Sequence, residues 1–437
     1  MCSKLLMLFV CVSLVSGRSP HADYIDELIR SESYNYIFPD NTLEDAKLDV
    51  PGLIRKYKYP MEVHEVTTSD GYILQMHRIP HGRDQNQVPD PKRPIVFLMH
   101  GLLCSSADWV MSGPGSAFGY LLAEEGYDVW MGNARGNYYS RKHISVNPDD
   151  IDFWQFSWDE IGDIDLPTMI DYILDHTERE KIYYVGHSQG TTVFFVMCSL
   201  HPEYNYKIKA MHAFSPIAFM AHNESPLLKA MASFDNSMKI LSALIGVGEV
   251  MSNNLFLKWA GESFCKDQAI TQAICSNILF YIGGWSDEQL NTTMMPVYFG
   301  HTPAGSSVRQ FIHYEQGFFT KDFRRYNHGP LKNIVLYGTR LPPKYDLSNI
   351  LVPVFLYYSN IDPLAAVPDV NRLYKELGSK SKMMILLPSF NHFDYVWGIN
   401  ANTLLYDVVI RLMRFVDAYD NFMRKPYLTE YYKILMG

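Results

Sequence analysis

The sequence predicts an α/β fold, a mostly parallel sheet covered by helices on both faces, with a mainly helical subdomain inserted into it. Three observations predict this. Compact strand-type runs recur along the 437 residues, several of them apolar nearly throughout, which is how strands buried on both faces of a parallel sheet read. Helix-period segments separate them, and that alternation is the pattern of a doubly covered sheet. The rhythm breaks once, for about 130 residues between Pro216 and Tyr345, too long for a structureless loop inside a compact domain.

At the amino terminus, Lys4 precedes an apolar run from Leu5 to Val15, followed by the small residues Ser16 and Gly17. That is the layout of a secretory signal peptide, expected over residues 1–17. A membrane anchor is excluded for this segment, because about 11 apolar residues fall short of the ~20 a bilayer needs. No later stretch is long and apolar enough to span one, so the mature chain is expected to be soluble, secreted or lysosomal. Residues 18–56 read as an N-terminal extension.

From Met61 to Ile79, MEVHEVTT, the Asp70-Gly71 turn and YILQMHRI form a β-hairpin pattern. Strand-type runs follow at 94–101, 127–133, 181–188, 207–216, 352–359 and 383–389, with helix-period segments around 158–176, 189–200, 367–377 and 402–423. The core is therefore expected over 57–215 and 346–437. The insertion at 216–345, rich in Met, Phe, Asn and Gly, falls between the fourth and fifth of those runs, 207–216 and 352–359. It is placed to lie over the ends of the sheet.

Composition narrows the partners. With 38 Lys and Arg against 47 Asp and Glu, a formal charge of -9 and no long basic run, nucleic acid is not the expected natural partner. Once the signal peptide is removed, four cysteines remain: Cys104, Cys198, Cys265 and Cys275. That is too few for a disulfide scaffold. Cys265 and Cys275, ten apart, are the candidate pair, while Cys198 in TTVFFVMCSL reads as a small buried hydrophobe. Asn223 (NES, before Pro226) and Asn291 (NTT) are N-glycosylation acceptors by pattern.

The chemistry concentrates in Gly186-His187-Ser188-Gln189-Gly190, a G-x-S-x-G run that follows the apolar strand KIYYV and opens the apolar helix TTVFFVMCSL. This is the strand-turn-helix setting of a nucleophile elbow. The glycines permit a turn too tight for a Cβ, and Ser188 projects from it. Serine needs a base within hydrogen-bond reach and a group to orient that base. Asp362 follows the run VPVFLYYS and His392 follows MMILLPS, both at strand ends and in the order Ser, acid, His. Asp369 and Asp394 compete for the acid. For the oxyanion, the backbone N–H groups of Leu102, in His100-Gly101-Leu102-Leu103, and of Gln189 are the expected donors.

With these residues in place, the chain resembles the acid lipase family of α/β-hydrolases, the group of gastric and lysosomal acid lipases and many insect gut lipases. The resemblance runs from about Tyr57 to Met423 and is carried by YPMEVHEVTTSDGYILQMHRIP, FLMHGLLCSSADWV, AEEGYDVWMGNARGN, FWQFSWDEIGDIDLPTMIDYIL, YYVGHSQGTT and NHFDYVWG. It implies nucleophile Ser188, acid Asp362, base His392 and oxyanion donors Leu102 and Gln189. It also implies that 216–345 is a cap with a mobile lid over an acyl-binding tunnel, and that its disulfide joins Cys265 and Cys275. Gly283 stands where some relatives carry a free cysteine.

The expected activity is hydrolysis of neutral lipid esters at a lipid–water interface, triacylglycerols first and cholesteryl esters second, with no cofactor and no metal. A short-chain, sterol or retinyl esterase is the alternative, and a catalytically silent lipid-binding protein on the same fold is a third reading.

Overall fold

Alternation along the central strands gives the molecule two cores. The computed structural model describes residues 40–83, 92–225, 248–250, 283–286 and 288–423. Its main sheet has nine strands, ordered β1-β2-β4-β3-β6-β7-β10-β11, with the short β5 on β2. The strands are β1 Glu62–Thr67, β2 Tyr72–Ile79, β3 Ile95–Met99, β4 Asp128–Met131, β5 Lys142–His143, β6 Ile182–His187, β7 Ile208–Phe214, β10 Val354–Tyr358 and β11 Lys382–Leu386. The hairpin β1/β2 and the β2/β4 pair are antiparallel. Every pair from β4 through β3, β6, β7 and β10 to β11 is parallel.

Successive residues of a strand face opposite sides of a sheet, and here each side has its own apolar cluster. Ile95, Phe97, Tyr184, Met211 and Leu356 enter one cluster with the helices Leu166–Thr177, Gln189–Leu200 and Val367–Glu376. Val96, Leu98, Tyr183, Val185 and Tyr357 enter the other with Val50–Lys56, Phe118–Glu124 and Asp407–Met423. Being covered on both faces, β3, β4 and β6 are buried along their full length. Their sequences are accordingly nearly continuous apolar runs rather than alternating ones. The edge strand β11 is half-buried and exposed in turn.

Two helices differ from the sequence expectation in detail. The segment expected at 158–176 opens with a short helix capped by Ser157 and Glu160, passes through a π-type turn over Ile161–Asp165 and continues as Leu166–Thr177. The C-terminal helix likewise begins with a π-type turn over Asn402–Tyr406 before Asp407–Met423. The short helices Asp40–Asp45 and Val50–Lys56 lie where the sequence reading placed only an extension. Burial of Val50, Leu53 and Ile54 ties the second of them to the core.

Within the stretch 216–345, the described residues include the helices Met295–His301, Val308–Thr320 and Pro330–Tyr337 and a small antiparallel pair of β8 Glu249–Val250 with β9 Ser306–Ser307. Met295–His301 joins the second core cluster, with Tyr298 stacked on Trp397. Val308–Thr320 packs beside the helix that follows Ser188. His313 stacks on Trp158, and the Tyr314 hydroxyl lies 3.2 Å from Thr192 Oγ1. Residues 1–17, Cys265 and Cys275 lie outside the described residues. Cys104 and Cys198 are free, buried thiols.

Candidate active site

Ser188 sits between β6 and the helix Gln189–Leu200 with φ 51° and ψ -117°, a left-handed conformation that an L-residue holds only where its surroundings enforce it. Both flanking glycines explain the enforcement. A Cβ on Gly190 would lie 2.2 Å from Met99 O, and one on Gly186 would lie 2.6 Å from the Gly190 carbonyl carbon. The loop after β3 and the helix start therefore close on each other with no room for a side chain. The Ser188 N–H donates to Phe214 O at 3.0 Å, which ties the turn to the end of β7.

His392 and Asp362 arrive at this turn from the ends of β11 and β10. His392 Nε2 lies 2.8 Å from Ser188 Oγ, and Nδ1 lies 3.1 Å from each carboxylate oxygen of Asp362. Asp362 Oδ1 also accepts the backbone N–H groups of Leu364 and Ala365. Burial works to raise the Asp362 carboxyl, but the charge and hydrogen bond of His392, the Ser215 hydroxyl and the Ala365 N–H outweigh it and hold it below the usual carboxylate range. With Asp362 ionised, Nδ1 carries the proton and Nε2 presents its lone pair to Ser188.

The backbone of His392 is held at both of its polar groups. Its N–H donates to Gly283 O at 2.8 Å, and its carbonyl accepts His187 Nε2 at 2.8 Å. Burial, followed by the nearby charge of His392, pulls His187 down to about 3, so its ring is a neutral imidazole donating through Nε2. The middle residue of the GHS triplet is thus a strut for the base. Neither this role nor that of Gly283 was visible in the sequence, because each depends on a contact between segments distant along the chain.

Ser215, at the end of β7, is a further residue the sequence reading missed. Its hydroxyl donates to Asp362 Oδ2 at 2.5 Å and lies 2.8 Å from His392 Nδ1. It shares the left-handed conformation of Ser188, with φ 49°. A serine at a strand end is too common for its position alone to mark it.

The loop 100–104 lies against the nucleophile. A Cβ on Gly101 would be 3.3 Å from Ser188 Cβ. His100 braces this loop: Nδ1 donates to Gly101 O at 2.7 Å, while Nε2 accepts from the Ala134 N–H and from Asn137 Nδ2. Burial lowers the His100 pKa to about 4, which keeps the ring neutral and able to accept. Leu102 directly follows Gly101 and Gln189 directly follows Ser188, and neither backbone N–H takes part in a hydrogen bond among the described residues.

The competing acids are occupied elsewhere. Asp369 accepts from the His222 N–H and Nδ1. Asp394 accepts the Asn391 N–H at 2.6 Å, and burial pushes its carboxyl up to about 7. Asn223 is 3 % exposed and its Nδ2 donates to Leu364 O, so a glycan there would have to break that bond. Asn291 is partly exposed at a helix start. Glu62, His64 and His176 bring potential metal-ligand atoms within 4.8 Å of one another. There, however, one Glu62 oxygen already accepts from Arg78 and His64, leaving a hydrogen-bonded cluster. A cavity of about 270 Å³ is lined in part by Trp158, Met220, Tyr314 and Phe323, and its lining includes none of Ser188, Asp362 and His392.

Comparison with known proteins gives the family and the fold. Residues 94–399 match the family described as the alpha/beta hydrolase fold, and residues 50–113 match the partial alpha/beta-hydrolase lipase region. Lipase 3 of Drosophila melanogaster is 43% identical over 357 residues, covering 82% of this chain and 90% of the relative. The lysosomal acid lipase/cholesteryl ester hydrolase of Homo sapiens is 39% identical over 371 residues, 85% of this chain and 92% of the relative. The gastric triacylglycerol lipase of Rattus norvegicus is 38% identical over 370 residues, 84% and 92%. A solved structure from Sulfolobus solfataricus shares the fold at a TM-score of 0.52 and 14% identity, covering 82% of this chain and 94% of its own.

Proposed function

The chain belongs to the acid lipase group of the α/β-hydrolase family, and from that premise we propose that Ser188, His392 and Asp362 hydrolyse neutral lipid esters through a covalent acyl-enzyme. The observation that carries this reading is the 2.8 Å contact between His392 Nε2 and Ser188 Oγ, with Nδ1 of the same ring facing a buried, ionised Asp362.

His392 takes the Ser188 proton as Oγ forms its bond to the ester carbonyl carbon, and the carbonyl oxygen becomes an oxyanion. The N–H groups of Leu102 and Gln189 receive that charge, each contributing about 3 to 4 kcal/mol in the transition state. The imidazolium, steadied by Asp362, returns the proton to the leaving alcohol oxygen as the ester bond breaks. Water then attacks the acyl-enzyme with His392 again as base, releasing the carboxylic acid and restoring Ser188.

Triacylglycerols are the first substrate class and cholesteryl esters the second, in keeping with the names of the relatives. A catalytically silent lipid binder is disfavoured, since such a protein has no need to keep base, nucleophile and acid in register. The apolar leader at residues 1–17 and the gastric and lysosomal relatives support a secretory-route destination, extracellular or lysosomal. Among the described residues no helix is long and apolar enough to cross a membrane.

Initial rates on purified protein across a glyceride series and a cholesteryl-ester series, short to long acyl chains and acid to neutral pH, test the substrate class. Turnover of long-chain triacylglycerols is the expected result. Turnover confined to short, soluble esters would replace the proposal with the short-chain esterase reading.

A further inference from the structure

The helix Pro330–Tyr337 is packed inside out. In a helix at a protein surface the apolar residues ordinarily turn inward and the polar ones outward. Here Asn333 is fully buried, while Leu331 is 81 % and Val335 82 % exposed, and Ile334 and Leu336 are exposed as well. The buried asparagine makes the arrangement stable. Asn333 Nδ2 donates to Asn327 Oδ1 and Arg340 O, and its Oδ1 accepts the His328 N–H. The Tyr337 hydroxyl, donating to Tyr326 O, anchors the same side one turn on. At about 100° per residue, Leu331, Ile334 and Val335 share one outward face and Leu336 borders it. Leu341, just past the helix, is exposed too.

Along the chain, the segment that carries this face is basic although the whole chain is acidic. Residues 323–345 carry Arg324, Arg325, Lys332, Arg340 and Lys344 and no acid, in a protein of formal charge -9. Arg325 pairs with Asp159 and Asp163, and Arg324 and Lys344 pair with Asp322. Lys332 and Arg340, the two cations nearest the apolar face in sequence, form no ion pair among the described residues, and Lys332 borders a cavity whose lining includes Asp159, itself paired with Arg325. Exposed aliphatic side chains flanked by uncommitted cations are the composition of a segment that lies in a lipid interface, with apolar groups among the acyl chains and cations at anionic headgroups.

We propose that Pro330–Tyr337 is a docking surface for an anionic lipid interface, separate from the Ser188 site. Leu331 and Val335 enter the apolar layer, and Lys332 and Arg340 contact the anionic groups. The surface gives the lipid-ester reading a means of holding the enzyme at its substrate. Its test does not depend on that reading, because vesicle binding is measured without turnover.

The experiment is flotation of the full-length protein with phosphatidylcholine vesicles, with and without phosphatidylglycerol, alongside hydrolysis of a soluble short-chain ester. Leu331→Ser/Val335→Ser should lose vesicle binding by about tenfold or more on both vesicle types, with soluble-ester rates unchanged. Lys332→Gln/Arg340→Gln should lose only the extra binding to anionic vesicles and the sensitivity of that binding to salt. Wild-type binding by both double variants would overturn the proposal. So would a wild-type dimer in sedimentation that Leu331→Ser/Val335→Ser converts to monomer, since the face would then belong to a second copy of the chain. Should the serine pair fail to fold, the Lys332/Arg340 pair carries the same decision on anionic vesicles.

Discussion

Ser215 Oγ donates to Asp362 Oδ2 at 2.5 Å, and the same oxygen lies 2.8 Å from His392 Nδ1. The proposed base is therefore oriented by two residues, an acid after β10 and a hydroxyl after β7. A hydrogen bond to a charged group contributes about 1.5 to 3 kcal/mol. Ser215→Ala should then lower kcat by roughly ten- to a hundredfold with little change in KM. The Ser215 hydroxyl helps hold the Asp362 pKa down. Its loss should accordingly move the acidic limb of the pH–rate profile upward. An unchanged profile would reduce Ser215 to a packing residue.

Asp362→Asn tests the tautomer. An amide can donate to Nδ1 and so favours the ring form with its proton on Nε2, facing Ser188. The expected loss in kcat is on the order of 10⁴-fold, with the fold intact by circular dichroism. A loss of only a few-fold would move the orienting role away from Asp362.

Gly190→Ala places a methyl group 2.2 Å from Met99 O. Since the obstacle is backbone, the elbow must open. The variant should melt earlier and react more slowly with an organophosphonate. Unaltered labelling would mean that the elbow tolerates a side chain there.

Asp394 gives a pH prediction with a definite sign. Burial raises its folded-state pKa to about 7, above the ordinary carboxylate value, so the folded protein holds a proton that the unfolded chain has released. Its contribution to stability is therefore full below the unfolded value and is lost as pH rises through the folded one. Asp394→Asn removes this dependence and can still accept the Asn391 N–H. Its melting temperature relative to wild type should rise between about pH 5 and about pH 8, as read by thermal unfolding in both buffers. A gap that stays constant or falls would reverse the assignment.

The parts of this molecule legible in the sequence share a cause. β3, β6 and β10 are buried on both faces, so they had to be apolar throughout, and the G-x-S-x-G turn requires its glycines for steric reasons that leave a local mark. Asp362 and His392 could be proposed because each lies a few residues past the end of an apolar strand-type run. What stayed hidden was set by contacts across the chain. Ser215, His187 and Gly283 act through partners about 110 to 205 positions away. Helix Pro330–Tyr337 was unreadable for a different reason. Its apolar residues look like a core stripe, and only the burial of Asn333 shows which way it faces.

The central claim is that Ser188 is the nucleophile of a lipid-ester hydrolase. The most direct measurement is the initial rate of fatty acid release from an emulsified long-chain triacylglycerol by wild-type protein and by Ser188→Ala, both verified as folded. Removing such a nucleophile costs on the order of 10⁵-fold or more in kcat, so the variant should fall to background while wild type turns over. Release by Ser188→Ala at the wild-type rate would contradict the account.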